Sequence, residues 1–471
     1  MGWLWLGLLA CSGSKDDDGG ATDASEVLDT VDTAELTTSG TTSTADSSTT
    51  STFAADLPLG GCGLAPYELV GPDALGTIVE VEEAPDLSLS ASTIELTLSL
   101  ADLPGERFGI TYDVETWRVR YTTQDRGELV EATMLLSFPV GAGAVPTLAW
   151  LHGTTGFTDA CAPSALGIEG GAFNLLFASM GYVVVAPDYL GMNGIGDPSG
   201  QVHPYVVAEP TALASLDAVR AAWGFDGADA TGSEATLQTV WLGASEGGFA
   251  ALWADRYQPH YLPEAEPVAV VASVPPADMV GLAQFGASQF SDASGGLVAA
   301  FTTWHDWFRL DGLDEVLADP LADIVPDLLL ADCSVDLDPE PTSLDKLFTA
   351  GFMDAMATGD LDAYPVGCVM EQGRLATSAV PRRSEAPVLY VVAELDELVA
   401  AEPTRAAFEP LCDAGYQMNY IECADADHVD GAVWSLGQQL DWVRDRVAGV
   451  AMDEVCVQTA PQRCDLQPKK P

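Results

Sequence analysis

The chain has 471 residues, 48% of them hydrophobic and 19% charged, so it is long enough for one large domain with an insertion or for two domains. Its formal net charge is −53, from 71 acidic and 18 basic side chains. Most of the acidic residues lie outside the Thr-, Ser- and Asp-rich N-terminal tract at 12–55. Such a surface repels phosphate backbones, which argues against nucleic acid as a partner, and it suits high-salt surroundings.

The first eleven residues form a short apolar segment that ends in L-L-A-C. This ending resembles the cleavage box of bacterial lipoprotein signal peptides, in which the cysteine is lipidated and becomes the new N terminus. Cys11 is therefore the predicted lipidation site, although no Lys or Arg precedes the apolar run. Residues 1–11 are too few to span a bilayer as a helix. We expect a bacterial cell-envelope lipoprotein, associated with a membrane through this anchor, or a secreted protein.

Residues 12–55 are rich in Thr, Ser and Asp. This composition cannot bury apolar area, so the segment is predicted to be a disordered acidic tether.

Eight cysteines remain after Cys11, an even number that predicts up to four disulfides and an oxidising compartment. Cys412–Cys423 and Cys456–Cys464 are plausible pairs because each is close in sequence. No C-x-x-C or H-E-x-x-H spacing occurs, so we predict no metal and no cofactor.

Strand patterns begin near residue 90 and change character along the chain. The first three alternate apolar and polar residues, which is typical of antiparallel strands with one wet face: 93–100, 116–123 and 132–139. The later runs are fully apolar, as strands buried on both faces of a parallel sheet are: 145–152, 181–188, 239–245, 268–274 and 386–393. Helical patterns lie between them, at 211–223 and 249–257.

This alternation predicts an α/β protein with a mostly parallel central sheet flanked by helices. The gap between the last two strands exceeds 100 residues, far more than a normal crossover, so we expect an inserted, mainly helical cap or lid at 275–385. The core would then comprise residues 56–274 and 386–450, followed by a C-terminal tail at 451–471.

Ser245 lies in G-A-S-E-G, the one G-x-S-x-G in the sequence, between an apolar strand and a helical pattern. Flanking glycines in that context are typical of a nucleophile elbow, where a sharp turn exposes a serine hydroxyl. A serine needs a base to accept its proton, and in this fold the order is serine, acid, histidine. His428 alone satisfies that order, because the other histidines come too early: His152, His203, His260 and His305.

The acid should follow the strand at 386–393. Asp396 fits best because it stands three residues before Val399, as in hydrolases with a late G-x-x-D-x-x-V loop, although Ala393 occupies the glycine position. Glu394 is the alternative. The oxyanion of the reaction also needs amide donors, which we expect from the backbone of Glu246 and from Thr154 or Thr155 in the loop at 152–156.

Three further segments make a family resemblance specific: H-G-T-T-G-F-T-D-A-C-A-P-S at 152–164, G-Y-V-V-V-A-P-D-Y-L-G at 181–191 and H-P-Y at 203–205. Together with the serine, acid and histidine motifs, they resemble the secretory lipase family, the fungal lipase A type and its bacterial relatives within the α/β hydrolases. The resemblance covers about residues 105 to 445. Glu246 departs from it, since a neutral residue such as Gln is common there.

The resemblance implies an α/β-hydrolase fold, a Ser245–Asp396–His428 triad and a lid over an acyl-binding tunnel. It also implies hydrolysis of carboxylic esters, including acylglycerols, by a protein that we expect to be monomeric. Two alternatives stay open at this point. One is a peptidase or deacylase on the same fold, and the other is a non-catalytic surface-binding protein on a hydrolase scaffold.

Overall fold

A computed structural model describes residues 53–54, 56–100, 103, 105–331, 333–334, 337 and 341–468. The predicted lipidation site Cys11 and the signal segment lie outside the described residues, as does the tether except for its residues 53 and 54.

The described residues contain nine strands: β1 (Ile78–Glu83), β2 (Val114–Asp125), β3 (Glu128–Pro139), β4 (Gly143–Leu151), β5 (Val183–Pro187), β6 (Ser233–Ala244), β7 (Glu266–Ser273), β8 (Val388–Ala393) and β9 (Met418–Cys423). They also contain fifteen α-helices: α1 (Ala91–Leu100), α2 (Gly105–Phe108), α3 (Ile168–Ser179), α4 (Ala208–Trp223), α5 (Ala228–Thr231), α6 (Glu246–Tyr261), α7 (Met279–Ser288), α8 (Asp292–Phe308), α9 (Leu313–Val316), α10 (Leu321–Ala331), α11 (Ala350–Thr358), α12 (Pro365–Gln372), α13 (Ala401–Asp413), α14 (His428–Trp434) and α15 (Leu436–Val447).

The strands form one sheet in the order β1-β2-β3-β5-β4-β6-β7-β8-β9. In this spatial order, neighbouring strands pair antiparallel from β1 through β2 and β3 to β5. From β5 through β4 to β9 they pair parallel. Every residue of β5 and β8 is buried, because helices cover both faces of the parallel part and leave no wet side for polar residues. The predicted α/β fold, with an antiparallel N-terminal portion and a mostly parallel sheet, is confirmed.

Two apolar clusters cover the two faces of the sheet. Leu175 of α3 and Leu440 of α15 belong to one cluster. Leu213 of α4 and Phe249 of α6 belong to the other, which continues without a break into Phe301 of α8. The nucleophile strand β6 therefore lies in the middle of the sheet, with packed helices on either side.

Six helices, α7 to α12, lie between β7 and β8, in the stretch where the sequence predicts a helical insertion. Trp304, Trp307 and Phe308 of α8 are buried there, as expected for aromatic side chains that pack in its interior. Disulfides Cys161–Cys333 and Cys62–Cys368 join this helical region to the loop after β4 and to the N-terminal segment.

Four disulfides are present, but both pairings expected from sequence proximity are wrong. Cys412 bonds to Cys456, and Cys423 bonds to Cys464. The reason is geometric: Cys412 lies in the last turn of α13, before the chain turns into β9, whereas Cys423 ends β9. A six-residue strand rises about 17 Å, too far for one disulfide to bridge. The segment from Cys456 to Cys464 instead runs beside β9, with a disulfide to the rest of the chain at each of its ends.

The predicted strand at 93–100 is also wrong, because these residues belong to α1. Ile94 and Leu98 are its buried residues, spaced as i and i+4 on one helical face, while Leu96 and Leu100 are exposed. Strand β1 is an element that the sequence analysis does not identify. None of the helices in the described ranges has the length and apolar character needed to cross a bilayer.

Candidate active site

Ser245 occupies the sharp turn between β6 and α6 and adopts φ 58° and ψ −123°. This left-handed conformation is costly for a residue with a side chain, so surrounding backbone must enforce it. A Cβ on Gly247 would lie 1.8 Å from the carbonyl oxygen of Leu151, and one on Gly243 would lie 2.1 Å from that of Gly247. Glycine is required at both positions because backbone atoms already fill the space.

His428, the first residue of α14, directs its imidazole to the serine. Nε2 lies 2.9 Å from Ser245 Oγ, and Nδ1 lies 2.7 Å from Oδ2 of Asp396. Because a carboxylate only accepts, Nδ1 carries the proton and Nε2 is left to accept from the serine hydroxyl. The Asp396 side chain is only 2% exposed, and its Oδ1 accepts the N–H groups of Leu398 and Val399. The three predicted triad residues thus form one hydrogen-bonded chain.

Glu394, the alternative acid, does not reach the histidine. Its Oε2 accepts the backbone N–H of Asp425 at 2.8 Å and so holds the loop that precedes His428. Asp396 is the residue placed next to the imidazole because the turn after β8 directs its side chain there.

The loop after β4 lies against the nucleophile, as expected of an oxyanion donor loop. A Cβ on Gly153 would lie 3.5 Å from Cβ of Ser245. The backbone N–H groups of Thr154, Thr155 and Glu246 donate to no carbonyl within the described part of the chain. Donors left without a protein partner beside a serine hydroxyl are what a developing oxyanion requires.

The side chain of Glu246 is turned into the protein and is 1% exposed. Its Oε1 lies 2.6 Å from Nε2 of His203, a residue to which the sequence analysis gives no role. His152 stacks on Tyr189, with ring centroids 4.3 Å apart, and burial lowers the pKa of His152 to about 4. Burial therefore favours the neutral form of His152, which is the first residue of the donor loop. The sequence feature that could have drawn attention to His203 is the H-P-Y segment at 203–205.

A cavity of about 450 Å³ lies beside α4 and α6, and no triad residue lines it. Its walls include Trp253, Tyr257 and the Cys62–Cys368 disulfide. Glu209 is buried in its wall and accepts a hydrogen bond from the Tyr67 hydroxyl. Burial raises the pKa of Glu209 to about 7. Within the described ranges, no three His, Cys, Asp or Glu side chains gather as a metal site would require.

Comparison with known proteins identifies a family. The family model "Secretory lipase" matches residues 173–454, more than half of the chain. The secreted triacylglycerol lipase LIP4 of Malassezia globosa is 24% identical in an alignment 364 residues long, and the match covers 72% of this chain and 73% of that protein.

Among solved structures, a ligand-bound form of the rice cell wall degrading esterase LipA from Xanthomonas oryzae superposes with a TM-score of 0.62 at 21% identity, covering 80% of this chain and 99% of the esterase. Candida antarctica lipase A superposes with a TM-score of 0.58 at 15% identity, covering 85% and 89% of the two chains. These likenesses show the fold. The chain therefore belongs to the secretory lipase family and is a carboxylic ester hydrolase with the α/β-hydrolase fold.

Proposed function

We propose that the protein hydrolyses lipid esters, acylglycerols among them, through a covalent acyl-enzyme on Ser245. The observation that carries this proposal is the hydrogen-bonded chain from Ser245 Oγ through His428 to the buried carboxylate of Asp396. Family membership and the activity for which the Malassezia globosa relative is named support the substrate class.

In the first half of the reaction, Nε2 of His428 takes the Ser245 hydroxyl proton as Oγ attacks the ester carbonyl carbon. The carbonyl oxygen becomes an oxyanion, which accepts hydrogen bonds from the N–H of Glu246 and from that of Thr154 or Thr155. Collapse of this intermediate breaks the bond to the alcohol oxygen, which leaves with the proton from the imidazolium. The acyl group remains on Oγ.

In the second half, His428 takes a proton from water as the water oxygen attacks the acyl carbon. The intermediate collapses, Oγ recovers its proton from the imidazolium, and the carboxylic acid leaves. Asp396 holds the required tautomer and stabilises the imidazolium in both halves.

The helical insertion at 275–385 is the proposed lid over the acyl chain, a role that rests on the family resemblance and on the six helices between β7 and β8. Four disulfides support an extracytoplasmic location, where such bonds persist. Lipidation at Cys11 would hold the enzyme at a membrane surface; this part of the proposal rests on the sequence alone.

The test compares wild type with Ser245→Ala, and uses Ser92→Ala at an exposed position as the matched control. Wild type and the control should hydrolyse p-nitrophenyl butyrate and be labelled by a fluorophosphonate probe, with the label on Ser245. Ser245→Ala should lose labelling and about 10⁴-fold or more in kcat. Full activity of Ser245→Ala would overturn the mechanism. Rates over esters of two to eighteen carbons would then define the acyl preference.

A further inference from the structure

The residue that follows the nucleophile carries a buried carboxyl group with a single partner. Oε1 of Glu246 lies 2.6 Å from Nε2 of His203, while its Oε2 has no hydrogen-bond partner in the part of the chain that the structure describes. Both side chains are essentially inaccessible, at 1% and 0% exposure. A charge in such a place must be compensated, because water cannot reach it.

The hydrogen-bond partners of His203 determine how many protons it shares with Glu246. Nδ1 of His203 lies 2.9 Å from the carbonyl oxygen of Leu190, and because a carbonyl only accepts, Nδ1 carries a proton. The 2.6 Å contact with Glu246 then needs a second hydrogen, on Nε2 or on Oε1. Either arrangement, imidazolium with carboxylate or imidazole with carboxylic acid, has no net charge.

The segment that carries His203 also holds the other half of the oxyanion site. The N–H of His203 donates to the carbonyl of Phe157 at 3.0 Å, immediately after the donor loop. Two residues on, the hydroxyl of Tyr205 accepts from Oγ1 of Thr154 at 3.0 Å. Glycine at position 191 makes room for this segment, since a Cβ there would lie 2.4 Å from the backbone nitrogen of His203. Residues 203–205 therefore contact both sides of the site where the oxyanion would form.

We propose that His203 is a positioning residue that shares one proton with Glu246, so that the buried carboxyl group beside the nucleophile adds no net negative charge next to the oxyanion. Through the same segment, Tyr205 keeps the donor loop at the right distance from the Glu246 N–H. This inference rests on the proposed role of Ser245. It explains how an acidic residue is tolerated directly after the nucleophile.

The other titratable groups around the pair are His152, Tyr189 and Tyr205. His152 is kept neutral by burial, and burial also raises the pKa of Tyr189, so neither supplies a compensating charge. Tyr189 and Tyr205 face the His203 ring, with centroids 5.7 Å and 6.3 Å away. His203 is the group in contact with Glu246 that can neutralise it.

The experiment is a double-mutant cycle of His203→Leu and Glu246→Gln, with Glu409→Gln, the loss of an exposed carboxylate, as the control. His203→Leu leaves the carboxylate uncompensated and should lower kcat on p-nitrophenyl butyrate about tenfold or more, with KM changed less than threefold. Glu246→Gln, whose amide can donate to neutral His203, should lower kcat by about fivefold at most. The double variant should recover most of the loss, because the charge is gone.

Two results would overturn the inference. One is an equal loss from His203→Leu with and without Glu246→Gln, which is the behaviour of a residue that only fills space. The other is a loss no larger than that of Glu409→Gln. If melting curves show that His203→Leu does not fold, His203→Gln replaces it, since an amide donates to the carboxylate without neutralising it. Fluorophosphonate labelling of wild type at Ser245 separates failure of this inference from failure of the proposed mechanism.

Discussion

Nδ1 of His428 lies 2.7 Å from Oδ2 of Asp396, and the other oxygen of the same carboxylate is held by the N–H groups of Leu398 and Val399. Hydrogen bonds within its own turn therefore fix the carboxylate independently of its contact with the imidazole. The orientation of His428 depends on Asp396 and not on the acidic surface around it.

Replacing Asp396 by Asn should lower kcat by roughly 10⁴-fold, because an amide can stabilise the wrong imidazole tautomer and cannot stabilise the imidazolium. Glu394→Gln is the matched control, two residues away and bonded to a backbone N–H instead. Its kcat should stay within about threefold of wild type. Steady-state kinetics on p-nitrophenyl butyrate decide the matter. A larger effect at Glu394 than at Asp396 would reassign the acid.

Gly247→Ala should prevent correct folding of the elbow. The new methyl group would lie 1.8 Å from the Leu151 carbonyl oxygen, and the neighbour is backbone that cannot rotate away. We expect a loss of about 3 kcal/mol or more in stability together with loss of activity. Gly295→Ala in α8 is the control, since nothing lies within 4 Å of its Cβ, and it should stabilise the helix by about 0.5–1 kcal/mol. Melting temperatures of the two variants should therefore move in opposite directions.

Removing the Cys161–Cys333 bond should loosen the helical insertion without displacing the triad. The bond closes a separation of 172 residues, and its loss in a Cys161→Ser/Cys333→Ser variant should cost about 2–5 kcal/mol. Hydrogen exchange should rise in α10, next to Cys333, while β6 stays protected. A Cys412→Ser/Cys456→Ser variant is the comparison, and its exchange should rise around β9 instead. Equal exchange in α10 before and after removal would contradict this view.

Stability should fall as pH rises, in part because of Glu209. Burial raises the pKa of Glu209 to about 7, above its value near 4.3 in the unfolded chain, so the folded state binds this proton more tightly. That contribution is fully present below about pH 4 and is lost as the pH rises through 7, at a cost of about 4 kcal/mol. In Glu209→Gln the difference in melting temperature between pH 5 and pH 8 should shrink. Glu264→Gln, at an exposed position, should keep the wild-type difference.

Local pattern and chain order led to three residues that the structure brings into one hydrogen-bonded chain. The apolar runs of β4 to β8 specify buried strands, the glycines around Ser245 specify the elbow, and elimination leaves His428. Long-range relationships were not predictable. The alternating pattern at 93–100 fits a strand, yet Ile94 and Leu98 also share one helical face, and only tertiary packing decides. The bond from Cys412 to Cys456 depends on where the chain turns between α13 and β9. The partnership of His203 with Glu246 joins residues 43 positions apart, and the H-P-Y segment does not indicate which residue His203 contacts.

The segment beside β9 covers an edge of the sheet that could otherwise pair with another strand. β9 is the last strand of the sheet, and an uncovered edge of this kind offers a row of backbone groups to any passing strand. Gln462 pairs with Cys423 at one end of β9, and the N–H of Cys456 bonds to the Met418 carbonyl at the other. The opposite edge, β1, is instead protected by glutamate side chains: Glu80, Glu82 and Glu83. A chain shortened before Cys456 would keep its catalytic residues but expose β9, and we expect such a chain to aggregate through that edge.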